Sequence, residues 1–195
     1  VGEIWFDDAG TVESAREPEL LVKYLFTSER LSVQVHPDDT AAQAAGYPRG
    51  KDEAWVILAA EPDATNALGP GLTVLEIQQA VDLTYRLFDY GRPRELHLDA
   101  GIAVSEPVPF AAPPVLRAPE PGVAWRIEGA KFIVEQLALD GRRQVAVPQG
   151  RSAWVVPVTG RGTIDGAAFT AGECWIADRA VALDGSGDVI VAIPH

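Results

Sequence analysis

The sequence predicts a mostly β protein, built as sandwiches or barrels in two regions, and three observations carry that reading. Apolar residues make up 47% of the 195-residue chain, enough for a packed core and too many for disorder. Short runs rich in Val, Ile, Leu, Tyr and Phe recur along it with Gly, Pro or polar turns between them, a strand pattern with no competing helical period. Six of the fifteen prolines fall within residues 105–122. Proline removes a backbone donor and disfavours helix at the residue before it, so this stretch reads as an extended connector. The expected organisation is an N-terminal region over 1–104, the connector over 105–122 and a C-terminal region over 123–195.

In the first region, LLVKYLF (20–26) and LSVQVH (31–36) are β-type runs separated by the turn-like Thr27-Ser28-Glu29-Arg30. A short helix is expected over 38–45, where Asp38 and Asp39 open an alanine-rich segment. Residues 46–50 form a loop, EAWVILAA (53–60) is a strand, and LTVLEIQQ (72–79) and DLTYRLFDY (82–90) are two more. The C-terminal region reads KFIVEQLAL, VAVPQG, SAWVVPVTGRGTIDG, ECWIAD and VIVAIP, short strands at the spacing of a sandwich or barrel.

Charge and composition exclude several functions. Asp and Glu total 28 against 16 Lys and Arg, a formal net charge of −12, which argues against general nucleic-acid or anionic-membrane binding. No apolar run approaches membrane-spanning length and no signal-peptide pattern opens the chain. The one cysteine, Cys174, cannot form an internal disulfide and reads as a buried, inert thiol in a cytoplasmic protein. There is no methionine, even at position 1, so the sequence reads as trimmed or incomplete.

Two constellations can carry chemistry. On strand 31–36, Ser32, Gln34 and His36 alternate and share a face, with Leu31, Val33 and Val35 on the other. Such a face ordinarily just meets water. Here it leads into His36-Pro37-Asp38-Asp39, with Glu53 following behind Lys51, and imidazole, amide oxygen and carboxylate are all ligands for a divalent ion. The spacing matches no compact metal motif. The second constellation places Glu76 and Gln78 on one face of 72–79, then Asp82, Thr84 and Arg86 on one face of 82–90. Inward charges must pair or bind something polar, and an Asp82–Arg86 or Glu76–Arg86 ion pair is the competing structural explanation.

LLVKYLFTSERLSVQVHPDD, GKDEAW and GLTVLEIQQAVDLTYRLFDYGRPRELHL resemble, in colinear order, type I phosphomannose isomerase (mannose-6-phosphate isomerase) in its short bacterial form, and VGEIWF resembles that family's opening segment. VTGRGTIDG and AGECWIA are more loosely similar to its second, metal-free barrel. The resemblance implies two cupin-like jelly-roll β-barrels with few short helices, the site lying in the first. It implies a cytoplasmic enzyme of carbohydrate metabolism with one Zn²⁺ per chain, an aldose–ketose isomerase of mannose 6-phosphate and fructose 6-phosphate. By the same resemblance Gln34, His36 and Glu53 are metal ligands, Ser32, Lys51 and Arg86 line the substrate pocket, and Glu76 and Asp82 stand beside them. Arg86 and Lys51 are the candidates for charge stabilisation. The base is open between Glu76, Asp82 and a metal-bound water. The implied partner is a small sugar phosphate, with no nucleic acid and no membrane, and the oligomeric state stays open.

The sequence departs from the family at one chemically important place. The family's fourth ligand, a histidine just before the LEIQQ strand, falls at Asn66 in Asp63-Ala64-Thr65-Asn66-Ala67-Leu68-Gly69, and the helical insertion and strand ahead of it are absent. The Trp-Gly segment before VGEIW is missing too. Either the protein is truly shortened, with a crippled or rebuilt metal site, or a mobile segment carrying the histidine has dropped out of the sequence; the second is preferred. His97 and His195 do not replace the lost ligand. The alternative function is a non-catalytic cupin relative that binds a sugar or a partner. A cupin dioxygenase is disfavoured, because only His36 is suitably placed.

Overall fold

The computed structural model describes residues 2–6, 18–62, 64, 69–108, 111 and 115–195. The chain divides into two compact units, Val1–Phe110 and Ala111–His195. The fold is mostly β. Asn66, the position facing the family's histidine, lies outside the described residues. No helix among the described residues is long and apolar enough to cross a membrane.

In the first unit, β1 (Gly2–Phe6), β2 (Leu20–Thr27), β5 (Leu72–Gln79) and β4 (Glu53–Ala60) form an antiparallel sheet in the order β1-β2-β5-β4. β3 (Val33–Val35) and β6 (Tyr85–Phe88) form a separate pair, and α1 (Asp39–Ala44) and α2 (Leu98–Val104) are the helices. Directly opposed residues share a sheet face. One face of β2, β5 and β4 therefore carries Leu21/Gln78/Glu53, Lys23/Glu76/Trp55 and Leu25/Val74/Ile57 in successive rows. Leu25, Leu72 and Val74 pack there with Trp55 and Ala64, so this face is apolar at one end and charged at the other. β4 and β5 pair antiparallel and are joined through residues 61–71. The Thr27 hydroxyl donates to the Gly69 carbonyl at 2.9 Å and accepts from the Leu72 amide at 2.9 Å, and Glu61 N–H donates to the Gly71 carbonyl, so the described ends of that connection are held by hydrogen bonds.

The second unit is built from β7 (Val115–Arg117), β8 (Val123–Glu128), β9 (Phe132–Val145), β10 (Ala153–Pro157), β11 (Arg161–Ile164), β12 (Ala167–Phe169), β13 (Trp175–Ala177) and β14 (Val181–Pro194). The order is β12-β11-β14-β9-β8-β7, with β10 joining β13 and β14. β9 and β14 pair along their full fourteen residues around a core that includes Leu137, Val155, Leu183, Val189 and Val191. β11 and β12 meet in a two-residue turn at Asp165-Gly166, both at positive φ (48° and 84°), the Asp-Gly hairpin geometry.

Four expectations change in detail. The run 31–36 yields only Val33–Val35 as strand, because the register against β6 shifts between Val33 and Gln34; such an irregularity breaks strict alternation. The strand expected over 82–90 is confined to Tyr85–Phe88. α2 was not expected, since its LDAGIAV sequence combines a glycine with few strong helix formers. Within the proline-rich stretch 105–122, Val115–Arg117 pair with β8 instead of serving as linker.

Candidate active site

The charged end of the first unit's sheet face gathers the chemistry-bearing side chains. His36 follows β3, and Asp38 begins α1 by accepting the Ala41 N–H at 2.8 Å, a standard N-cap. The loop after α1 then folds back on this corner. Gly50 N–H donates to Asp39 at 2.9 Å and Lys51 N–H to the Pro37 carbonyl at 3.2 Å. A Cβ on Gly50 would stand 2.5 Å from the Pro37 oxygen and the Asp38 carbonyl carbon, so only glycine lets the loop lie this close. Asp52 and Gln79 then tie the start of β4 to β5 by two hydrogen bonds of 3.0 Å. Lys51 and Glu53 are thereby carried to His36.

His36 Nε2 lies 3.4 Å from Glu53 Oε2, and Lys51 Nζ 3.7 Å from the same oxygen. Thr84 Oγ1 is 3.4 Å from His36 Nδ1 and accepts from Lys51 Nζ at 3.3 Å. On the adjoining row, Lys23 and Glu76 form a buried ion pair at 2.9 Å. Burial pushes the Glu76 carboxyl above its usual range, and the Glu53 charge adds to this against the pull of Lys23. Burial pulls the Lys51 ammonium below its ordinary value, more strongly than Glu53 raises it. Burial alone would raise Glu53, but its hydrogen bond to His36 and the nearby positive charges hold it lower. Two carboxylates on one face are thus driven in opposite directions, the pattern of divided acid–base roles.

The donor set fits a divalent metal in part. Two ligands bonded at about 2.0–2.1 Å to one tetrahedral zinc stand roughly 3.3–3.4 Å apart, which is the separation of His36 Nε2 and Glu53 Oε2. The Thr84 hydroxyl at the other ring nitrogen is an outer partner of the kind that orients a ligating imidazole. Among the described residues no three His, Cys, Asp or Glu side chains converge. Gln34 is exposed and its Nε2 donates to Ser32 Oγ at 2.6 Å, while Ser32 itself is buried.

Of the remaining candidates, Arg86 sits opposite Gln34 in the β3–β6 pair. Its Nη1 donates to the Glu95 carbonyl at 3.1 Å, and its Nε is shielded from solvent without a partner among the described residues. Glu76, one of the two carboxylates that could have paired with Arg86, is engaged by Lys23. Asp82 is exposed and precedes β6. From sequence, Thr84 is placed only on the face it shares with Asp82 and Arg86, and Lys23 is not singled out at all. The signal for Lys23 was a lone cation on the Leu21/Leu25 face of an otherwise apolar strand, but only strand register reveals Glu76 opposite it. His97 accepts from the Arg86 N–H at 3.2 Å and occupies the N-cap position of α2. His195 bonds the Gly129 carbonyl at 2.8 Å. Burial pushes the Cys174 thiol up to about 12, so it is inert at neutral pH. A concavity of about 470 Å³ in the second unit is lined by Trp175, Asp165, Asp178 and Arg179 among apolar residues. Its polar groups are already engaged, Asp165 by Arg179 at 2.9 Å and Asp178 by Ser152 at 2.5 Å.

Mannose-6-phosphate isomerase ManA of Bacillus subtilis is 32% identical to this chain over 148 residues, covering 50% of this chain and 47% of the relative. The chain resembles the mannose-6-phosphate isomerases. No protein-family model matches it. The matched part spans about half the length of that curated relative. Half of 195 residues is about 98, so within the 148-residue match about 50 positions of the isomerase have no counterpart here. Among solved structures, the mannose 6-phosphate isomerase of Bacillus subtilis superposes with a TM-score of 0.75 at 23% identity, covering 93% of this chain and 76% of that one. A mannose 6-phosphate isomerase bound with zinc and yttrium superposes with a TM-score of 0.68 at 13% identity, covering 91% and 80%. The fold is therefore the cupin-like β fold of these isomerase structures.

Proposed function

We propose that the chain is a metal-dependent aldose–ketose isomerase that interconverts mannose 6-phosphate and fructose 6-phosphate, acting in the cytoplasm with one zinc ion per chain. The observation that carries this reading is the pairing, on one sheet face, of the His36–Glu53 contact with the buried Lys23–Glu76 ion pair. His36 and Glu53 would hold the metal, with Gln34 on β3 as a further oxygen donor. When bound, a divalent ion polarises the sugar oxygens at the reacting carbons.

The chain's own residues then divide the remaining work. Moving a proton between C1 and C2 requires a group that takes it from one carbon and returns it to the other. Glu76 is that group in our reading. Its burial raises its proton affinity, and Lys23 at 2.9 Å holds one carboxylate oxygen. Asp82, exposed to solvent, is not retained as the base. Lys51 and Arg86 provide positive charge for the developing oxyanion and the phosphate, a local need on a chain of net charge −12. Ser32 and Thr84 supply hydroxyls at the pocket edge.

Turnover of mannose 6-phosphate in a coupled assay is the test. Activity is expected with about one zinc per chain by elemental analysis, abolished by a chelator and restored by zinc. Zinc-loaded protein that shows no turnover overturns the reading.

A further inference from the structure

We propose that Gln78 and Trp55 are the hydroxyl-reading residues of this site, positioning the sugar against Glu76; the assignment rests on the isomerase reading above. Both lie on the Glu76 face of the sheet. Gln78 is two residues further along β5 and opposes Glu53, and Trp55 opposes Glu76 from β4.

Gln78 is only 5% exposed. Its Oε1 and the Trp55 Nε1 are both shielded from solvent, and neither has a hydrogen-bond partner among the described residues. Burying a polar atom without a partner destabilises a fold, and native proteins hold few such atoms. An apolar side chain at either place would fold more easily, since Leu25, Leu72 and Val74 continue the same face and already pack against the Trp55 ring. The two orphaned atoms are also complementary, one an acceptor and the other a donor. A sugar hydroxyl is both. It can donate to Gln78 and accept from Trp55.

The spacing suits a hexose. Same-face positions along a strand recur at about 6.7 Å and neighbouring strands stand about 4.8 Å apart, so both groups border Glu76 within the span of one sugar. The charged groups at the site are matched to one another or to the phosphate. Gln78 and Trp55 supply the neutral recognition that distinguishes hydroxyl patterns, where a site built to bond a hydroxyl strongly rejects an analogue lacking it.

The experiment uses zinc-loaded full chain and two variants, Gln78→Met and Trp55→Phe, the second removing only the N–H while keeping an aromatic ring. Each is expected to raise KM for mannose 6-phosphate roughly tenfold with kcat within a few-fold, the sign of lost uniform binding. Gln78→Met is also expected to raise the Tm of the ligand-free protein by about 4 °C, because an unsatisfied buried group is removed. Wild type should bind at least one of the 3-deoxy and 4-deoxy hexose 6-phosphates about tenfold more weakly than the parent sugar, and Gln78→Met should bind the two equally. A fall in Tm with unchanged KM marks a structural role and overturns the assignment. If wild type turns over mannose 6-phosphate and both variants keep its KM, this assignment alone falls. If zinc-loaded wild type neither binds nor turns over the sugar, the isomerase reading falls with it.

Discussion

The second unit has a core of Val, Leu, Ile, Ala and Phe, among them Leu137, Val155 and Leu183 at 0% exposure. The first unit buries different chemistry on the inner face of β2, β4 and β5. Among the described residues, every buried polar or charged side chain lies in the first unit: Thr27, Ser32, Glu76, Gln78, Gln79 and Asp89. The orphaned atoms of Trp55, Gln78 and Arg86 lie there too. One unit is arranged for stability and the other gives up part of it to hold reactive groups, the division expected where a functional site sits in a fold.

The sharpest way to break this comparison is Glu76→Gln, which keeps shape but removes the proton acceptor. A loss of about 10²–10⁴ in kcat is expected, measured in the coupled assay below the unfolding transition, with a lowered Tm because Lys23 is left buried without its charge partner. An unaffected kcat would remove Glu76 from the reaction.

Converting the first unit's floor into the second unit's chemistry is the next step. Lys23→Met alone leaves Glu76 buried and unpaired and is expected to cost about 3–5 kcal/mol by denaturant unfolding. Lys23→Met with Glu76→Leu replaces the whole pair by apolar groups, so stability should return to that of wild type or above it, with no isomerase activity. A double variant less stable than Lys23→Met alone would show that the ion pair serves structure more than chemistry.

In the second unit the comparison runs the other way. Leu183→Ala opens a cavity in a fully buried layer and is expected to cost about 2–5 kcal/mol, read from the shift in unfolding midpoint.

The smallest effect concerns acid. Asp89 closes the Tyr90-Gly91 turn, where Arg92 N–H donates to its carbonyl at 3.1 Å, and its carboxylate binds Arg92 and Arg94, each at 2.6 Å. Hydrogen bonding from Arg94 leads the causes that lower this carboxyl from 3.8 to about 2. A depressed acid stabilises the fold above its unfolded value, and that contribution disappears as pH falls through the folded one. Wild type should therefore lose stability between about pH 4 and pH 2. Asp89→Asn should be less stable at pH 7 and show a flatter acid limb in thermal melts over that window.

Much of the fold was legible before any coordinates. The strands 20–26, 53–60 and 72–79 are apolar, β-branched runs bounded by turn residues, and β2, β4 and β5 cover the same stretches. The helix opened by Asp38 was readable from its cap and alanines. Glu76 and Gln78 were assigned to one face by period alone. Legibility failed where a single irregularity resets the period. The register shift beside Gln34 separates Ser32, Gln34 and His36 into buried, exposed and half-buried environments, which alternation cannot anticipate.

By itself, the sequence determined which residue types are present and which elements they form: a mostly β chain with one imidazole near an acidic corner, and a resemblance strong enough to suggest sugar-phosphate isomerisation. Only the tertiary structure decided which charges meet. That Glu76 pairs with Lys23, that Lys51 meets the same Glu53 oxygen and Thr84 hydroxyl that contact His36, and that Gln78 Oε1 and Trp55 Nε1 have no partner among the described residues all depend on strand register and loop contact. Those contacts join residues up to fifty-three positions apart, as Lys23 is from Glu76. Side-chain periodicity is a local property of the backbone, whereas pairing between distant strands is settled by the packing of the whole unit.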